Sequence, residues 1–382
     1  MALERLEVRV SLEKLLVVLM VILIPLNFLG LYLATRSHTA AEHTTGALFS
    51  SIAQNNALIA RQFIEDRVID VAGVAAEAAI VDAIAAANRS SARMTDDARA
   101  AQIADVEEKW NTPEADALAS SILTAPASVA LRHHRERDPR FLKLIVMNGS
   151  GVPVAATDKP AHYAPADEVF WQAVSANGRG NVYVSDVAYD EKTKANYVVV
   201  GFPVLDQASQ RFVGAVCALV DISPLFAWLN REGLGRGAGA MLIRDDGTVV
   251  TASNVTTLMR MKPEEYRAVR DALGTIQGRQ VGYVIANMHD GMRIVGFSDT
   301  GLKPSYPNLG WYVLVSQNED EALSPVRTVG YFAFFMVVVG LLMVTLLAAY
   351  FFMHRKQELA DIEARSGNSD VTKEHGHDLV AH

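Results

Sequence analysis

The stretch FLKLIVMNGSGVPVAAT, residues 141–157, decides how the rest of the chain reads. An apolar run, LKLIVMN, is followed by GSG and a second apolar run, VPVAAT. Strand-like residues on both sides of a glycine-rich bend predict a β-hairpin, with Gly149 and Gly151 supplying the tight turn. Working outward, a helix fits 165–176, and three strands follow: NVYVSDV, NYVVVGFPV and RFVGAVCALV. DQASQ is the polar turn between the last two.

The same order recurs. After the short helix SPLFAWLN, GAMLIRDDGTVVTAS reads as a hairpin, KPEEYRAVRDAL as a helix, and VGYVIANMHDGMRIVGFS with GWYVLVSQ as three strands. The fold class is therefore α+β, with two stacked modules, each built on an antiparallel sheet. Upstream, the Ala-rich segment 37–140 has apolar residues at helical spacing, including Leu58, Ile59, Phe63, Ile64, Val68 and Val71. It predicts stalk helices with a break at 88–95 and a capped restart at Thr95 or Asp96.

Two uncharged apolar runs flank this region. Residues 15–34, LLVVLMVILIPLNFLGLYLA, and residues 330–353, GYFAFFMVVVGLLMVTLLAAYFFM, each have the length a helix needs to cross a bilayer. The first exceeds the apolar core of a signal peptide, and no A-x-A site follows it. Arg5, Arg9 and Lys14 precede the first run while Arg355 and Lys356 follow the second, which predicts both termini in the cytoplasm of a bacterial inner-membrane protein and an exported middle. The expected organisation is a cytoplasmic N-terminus (1–14), transmembrane helix (15–34), stalk (37–140), membrane-distal module (141–222), membrane-proximal module (223–318), second transmembrane helix (330–353) and short cytoplasmic tail (354–382).

Composition narrows the function. The 382 residues carry a formal charge of -8, and the central region has no basic run, which argues against nucleic acid. Cys217 is the only cysteine and sits in GAVCALV, so it reads as a small core hydrophobe. His133 with His134, and the tail histidines His375, His377 and His382, lack the four-ligand set of structural zinc, so no metal is expected. Neither a nucleophile elbow, nor H-E-x-x-H, nor a phosphate loop is present, and GLGRGAG at 233–239 reads as a loop between modules. No catalytic residue and no cofactor is predicted.

The order and spacing of FLKLIVMNGSGVPVAAT, DEVFWQAV, NVYVSDVAYDEKTKANYVVVGFPVLD, FVGAVCALVDISPL, GAMLIRDDGTVVTAS and LGWYVLVSQ resemble the double Cache domain, a tandem PAS-like extracytoplasmic sensor, over about 37–317. The resemblance implies a ligand in the membrane-distal module. Amino-acid-binding members resemble a Y-x-x-x-x-R-x-W-Y pattern with a later Tyr and Asp. Here Tyr163 opens it, Glu168 stands where the carboxylate-clamping Arg would be, Phe170 and Trp171 follow, and Tyr189 and Asp221 are the later pair, Asp221 reading equally as the residue that closes the last strand.

The expected ligand is a cationic amine, because Asp167, Glu168, Asp186, Asp190 and Glu191 lie among aromatic residues whose faces attract ammonium groups. The expected protein is a membrane-anchored sensor, a homodimer through its stalk, that signals to a separate kinase, cyclase or receptor because too few residues follow 353 for an output domain. Two other classes stay open: a protein-binding assembly module without a small ligand, and a membrane-tethered enzyme.

Overall fold

The structure is a computed structural model that describes residues 12–164, 169–191, 193–229, 237–252, 262–275, 280–324, 331–332, 334–350 and 352–353. It divides into two compact units, residues 1–44 with 322–382, and 45–321.

In the first unit, helix α1 (Leu12–Ala75) begins in the apolar run and continues unbroken beyond it. It is long and apolar enough to cross a bilayer, and side chains such as Val21 and Phe28 are bare on its surface, as residues facing hydrocarbon would be. Within 330–353 the described residues 331–332, 334–350 and 352–353 are helical, while 325–330, 333 and 351 lie outside the described residues. Inside this unit Asn27 donates its side-chain amide to the Leu23 carbonyl at 2.8 Å, so the polar group is satisfied within its own helix.

The second unit holds two antiparallel sheets. Sheet one runs β2–β1–β6–β5–β3, with β1 (Phe141–Asn148), β2 (Pro153–Ala156), β3 (Tyr183–Val184), β5 (Ala195–Leu205) and β6 (Phe212–Asp221); β4 (Ala188–Asp190) also pairs with β5. Sheet two runs β8–β7–β11–β10–β9, with β7 (Gly239–Arg244), β8 (Val249–Ala252), β9 (Val281–Met288), β10 (Gly291–Asp299) and β11 (Trp311–Asn318). Each sheet places its last strand beside its first, with the hairpin at one edge, so the internal repeat is a repeat of topology. Helix α6 (Val169–Ser175) precedes β3, and α8 (Glu264–Thr275) precedes β9.

The glycine bends show why the repeat needs its residues. Gly151 has φ +81 and Gly247 φ +86, backbone that favours glycine. An aromatic from the following helix lies over each bend: a Cβ on Gly151 would come within 3.1 Å of the Trp171 ring, and one on Gly247 would strike Tyr266. Each hairpin is thus pinned to its helix by one ring.

Along α1 the buried residues Phe49, Ala53, Ala57, Ala60, Ile64, Val68, Val71 and Ala75 recur every three or four positions, a seam that faces the sheets. Near its start a Cβ at Gly296 of β10 would collide with the backbone carbonyl of Phe49, so sheet two touches the helix itself. Further along, Arg67 reaches Asp138 beside sheet one.

Two expectations about 37–140 change. The first helix ends at Ala75, where Glu77 turns extended (φ -66, ψ 136), a stop no proline or polar cluster signals. After it, α2 (Ala78–Ser91), α3 (Asp96–Lys109), α4 (Asp116–Thr124) and α5 (Pro126–Arg137) do not extend a stalk. The apolar faces of α2, α4 and α5 are buried instead, through Ile80, Ile84, Ala119, Ile122 and Leu131, and these three helices lie on sheet one. Asn88 fixes α2 there, donating to the Val213 carbonyl at 2.7 Å and accepting from the Gly149 amide at 3.0 Å. The restart at Thr95 is as expected, its hydroxyl accepting from the Ala98 amide.

Candidate functional site

Strand alternation gives sheet one two faces. Leu144, Val146, Val216 and Val220 point to the side bearing α2 and α5. Ile145, Met147, Val199, Cys217 and Leu219 point the other way, where α6 covers part of the sheet with Trp171 and Val174. Where α6 does not reach, a cavity of about 260 Å³ remains. Its floor is Lys143, Ile145 and Met147 of β1, Tyr197 and Val199 of β5, and Cys217 and Leu219 of β6. Phe170 of α6 forms one wall, and Pro160, Ala161 and His162 form a roof. The volume sits just under the ~300–1,000 Å³ typical of small-molecule pockets, and the mix of apolar surface with a few polar groups is of the same kind.

The roof is held from outside the sheet. Glu107 of α3 accepts from His162 Nδ1 at 2.9 Å, from the Tyr163 amide at 2.6 Å and from the Ala164 amide at 2.8 Å. Burial alone would raise this carboxylate, but the hydrogen bonds from His162, Ala164 and Tyr163 outweigh it and hold the group below its ordinary pKa. Trp110, fully buried, donates its indole N–H to the Pro160 carbonyl at 2.9 Å, and Lys143 Nζ donates to the Lys159 carbonyl at 2.9 Å.

The expected site residues divide. Phe170 lines the cavity. Trp171 is buried behind it as the wedge over the Gly151 bend, edge-on to Phe212 with ring centroids 5.6 Å apart. Tyr163 adjoins the roof, but its ring packs on Trp110 at 5.1 Å, and burial raises its phenol pKa. Tyr189 is 43% exposed. The register explains this: Ala188 is opposite Tyr197 and Tyr189 opposite Asn196, so Tyr189 projects from the face that Tyr197 does not. Asp221 closes its strand, its carboxylate accepting from the Ser223 amide at 2.8 Å and its own amide donating to the Arg140 carbonyl. Glu168 and Asp167 lie outside the described residues.

The other anticipated groups are placed as follows. His133 lies 3.4 Å from Glu136 and His134 2.6 Å from Glu77, each paired with an acid, while the tail histidines and 230–236 lie outside the described residues. Asp186 is away from the cavity and pairs with Arg244 of β7 at 2.9 Å; burial, the largest influence, raises its pKa. Cys217 is buried, as its apolar run predicts, and also forms part of the floor.

Tyr197, one of the aromatic residues among which the expected acids lie, is in the floor, whereas sequence reasoning passed over Lys143, the roof 160–162 and its anchors Glu107 and Trp110. Lys143 had a signal, a charge inside the apolar run LKLIV. The roof and its anchors had none, since 107 and 162 meet only in three dimensions.

The Cache domain family model matches residues 39–326, more than half of the chain and the whole of both sheets. The chain belongs to the Cache domain family. No curated protein matches it. Among solved structures this Cache chain is similar to the sensory domain of the Campylobacter jejuni chemoreceptor Tlp3, at 9% identity and TM-score 0.51, covering 75% of this chain and 99% of that one. The same domain with isoleucine bound gives 9% identity and TM-score 0.50, covering 75% and 97%. The ligand-binding domain of the Pseudomonas aeruginosa amino acid chemoreceptor PctC, in complex with GABA, gives 17% identity and TM-score 0.46, covering 72% and 100%. At such identities the likeness is one of fold. The double-Cache architecture expected from the sequence is thereby shown for this chain.

Proposed function

We infer that this Cache protein is a membrane-anchored, non-catalytic sensor whose first sheet takes a small ligand in the cavity beneath Pro160, Ala161 and His162. That cavity is the observation that carries the reading. Among the described residues of sheet two, the corresponding face is packed, with Val269, Val295, Phe297 and Leu314 in one cluster against Tyr266.

The charge of the ligand is the second element of the proposal. Among the described lining residues Lys143 and His162 carry basic groups and none carries a carboxylate. This favours a ligand with a carboxylate or similar anionic group. The amine expected from the sequence is the second reading, supported by the aromatic faces of Phe170 and Tyr197 in the wall. An amino acid joins both groups, as the isoleucine bound to Tlp3 does.

Signal would leave through α1, which is continuous in the chain from the apolar segment to Ala75, and through the second apolar segment to a separate kinase, cyclase or receptor. Both termini would be cytoplasmic, the middle exported, and two copies would pair along α1. A protein-binding module without a small ligand would have a filled cavity, which the roofed space on sheet one argues against.

The test is a thermal-shift screen of the full-length protein in detergent against panels of carboxylates, amino acids and simple amines. Carboxylate-bearing compounds should raise the melting temperature of the wild type and not of Lys143→Ala. Stabilisation by amines alone would transfer the proposal to the second reading, and a protein indifferent to every panel would count against a small-molecule sensor.

A further inference from the structure

We propose that segment 159–164 is a movable gate at the entrance of the cavity and that Glu107 is the positioning residue that holds it over the floor. The inference rests on the cavity as a ligand site, but it concerns access and not ligand identity. The floor belongs to three neighbouring strands: β1 pairs with β6 from Phe141 to Asn148, and β6 with β5 from Tyr197 to Leu205. Opening the floor would break a ladder of backbone hydrogen bonds in the middle of a sheet. The roof is cheaper to move, because its described ties are contacts made by side chains: Glu107 to His162, Tyr163 and Ala164, Trp110 to Pro160, Lys159 and the Tyr163 ring, Lys143 to Lys159, and Lys159 to Asp116.

Glu107 dominates these ties. One carboxylate accepts three donors, and charge-assisted bonds of this kind are stronger than the neutral Trp110 to Pro160 bond. Helix α3 has no fully buried residue within its span and is anchored at its C-terminal end, where the capping Trp110 is fully buried and Val106 packs against the same cluster. A shift of α3 would carry the gate with it, whereas loss of Glu107 would leave Trp110, through Pro160 and the Tyr163 ring, as the gate's remaining tie to that helix. His162 has two roles in this arrangement, since it lines the cavity and is held by Glu107. A ligand that engages His162 from inside would compete with or strengthen that tie.

The chain supplies its own probe. Cys217 is the sole cysteine, is 3% exposed and forms part of the cavity floor, so the rate at which a small thiol reagent reaches it reports opening of the cavity with no need to know the ligand. The experiment follows N-ethylmaleimide labelling of the full-length protein by mass, with amide hydrogen exchange alongside, in wild type, Glu107→Gln and Glu107→Ala. The gate predicts labelling about tenfold faster in Glu107→Ala and a smaller rise in Glu107→Gln, whose amide oxygen still accepts from the backbone. Exchange should speed at Tyr163 and Ala164 while β6 stays protected. Labelling that is unchanged in both variants, or faster only together with loss of protection along β6, would overturn the gate. Neither of those outcomes bears on the ligand screen, so the gate and the sensor reading can fail separately.

Discussion

Arg67 of α1, 7% exposed, and Asp138 at the end of α5 are joined at 3.1 Å. The pair ties the long helix to the sheet that carries the cavity. Asp138 also accepts from Arg140 Nε at 2.7 Å and Nη2 at 2.8 Å; burial alone would raise its pKa, but Arg140 and Arg67 hold it below the ordinary value. Arg67 Nη2 lies 2.9 Å from Asp70, which anchors the same guanidinium from within α1.

Asp138→Ala should therefore cost about 2–4 kcal/mol, because it leaves two arginines, one of them buried, without their shared carboxylate. Urea unfolding of the detergent-solubilised protein measures this. A loss below about 0.5 kcal/mol would show that Arg67 is satisfied by Asp70 alone.

Glu107 supplies a pH prediction. Its folded pKa is depressed, so its contribution to stability is complete above the unfolded value and is lost as pH falls through the folded one. The melting-temperature gap between wild type and Glu107→Gln should be constant near neutrality and narrow in acid, below the ordinary carboxylate range. A gap that instead widens as acid is added would contradict the assigned sign.

Gly296→Ala tests the contact between sheet two and α1. The added methyl would meet the Phe49 backbone, which cannot rotate out of the way as a side chain can. Destabilisation of about 2–3 kcal/mol is expected, concentrated in sheet two by hydrogen exchange. Gly73→Ala, a position with nothing within 4 Å of the new methyl, is the matched control and should be neutral or slightly stabilising.

Ligand binding should separate the aromatic residues by strand face. With any compound that raises the melting temperature of the wild type, Phe170→Ala should weaken that rise and Tyr189→Ala should leave it intact. Equal effects of the two substitutions would place the ligand elsewhere than the cavity under 160–162.

Much of the architecture was legible because its signals are local. The hairpin bends at Gly151 and Gly247, the cap at Thr95 and the doubled order of strands and helix each depend on residues close together in the chain. The end of α1 at Ala75 was not, since nothing in AAEAAI breaks a helix; the turn is made because α2 buries Ile80 and Ile84 in the core. Four helices read as stalk lie on the sheet or beside it for the same reason: helical periodicity shows that a face is apolar and not what it will bury against.

The sequence by itself determined the α+β class, the repeated sheets and the apolar run that opens α1, since period, turn chemistry and hydrophobic length are properties of short segments. Only the tertiary structure decided the cavity. One step of strand register sends Tyr197 to its floor and Tyr189 away from it, and Lys143, His162, Phe170 and Cys217 come from four separate segments that converge once the sheet is formed. The face a side chain occupies depends on strand pairing, and the roof on a carboxylate more than fifty positions upstream, distances over which no local pattern carries information.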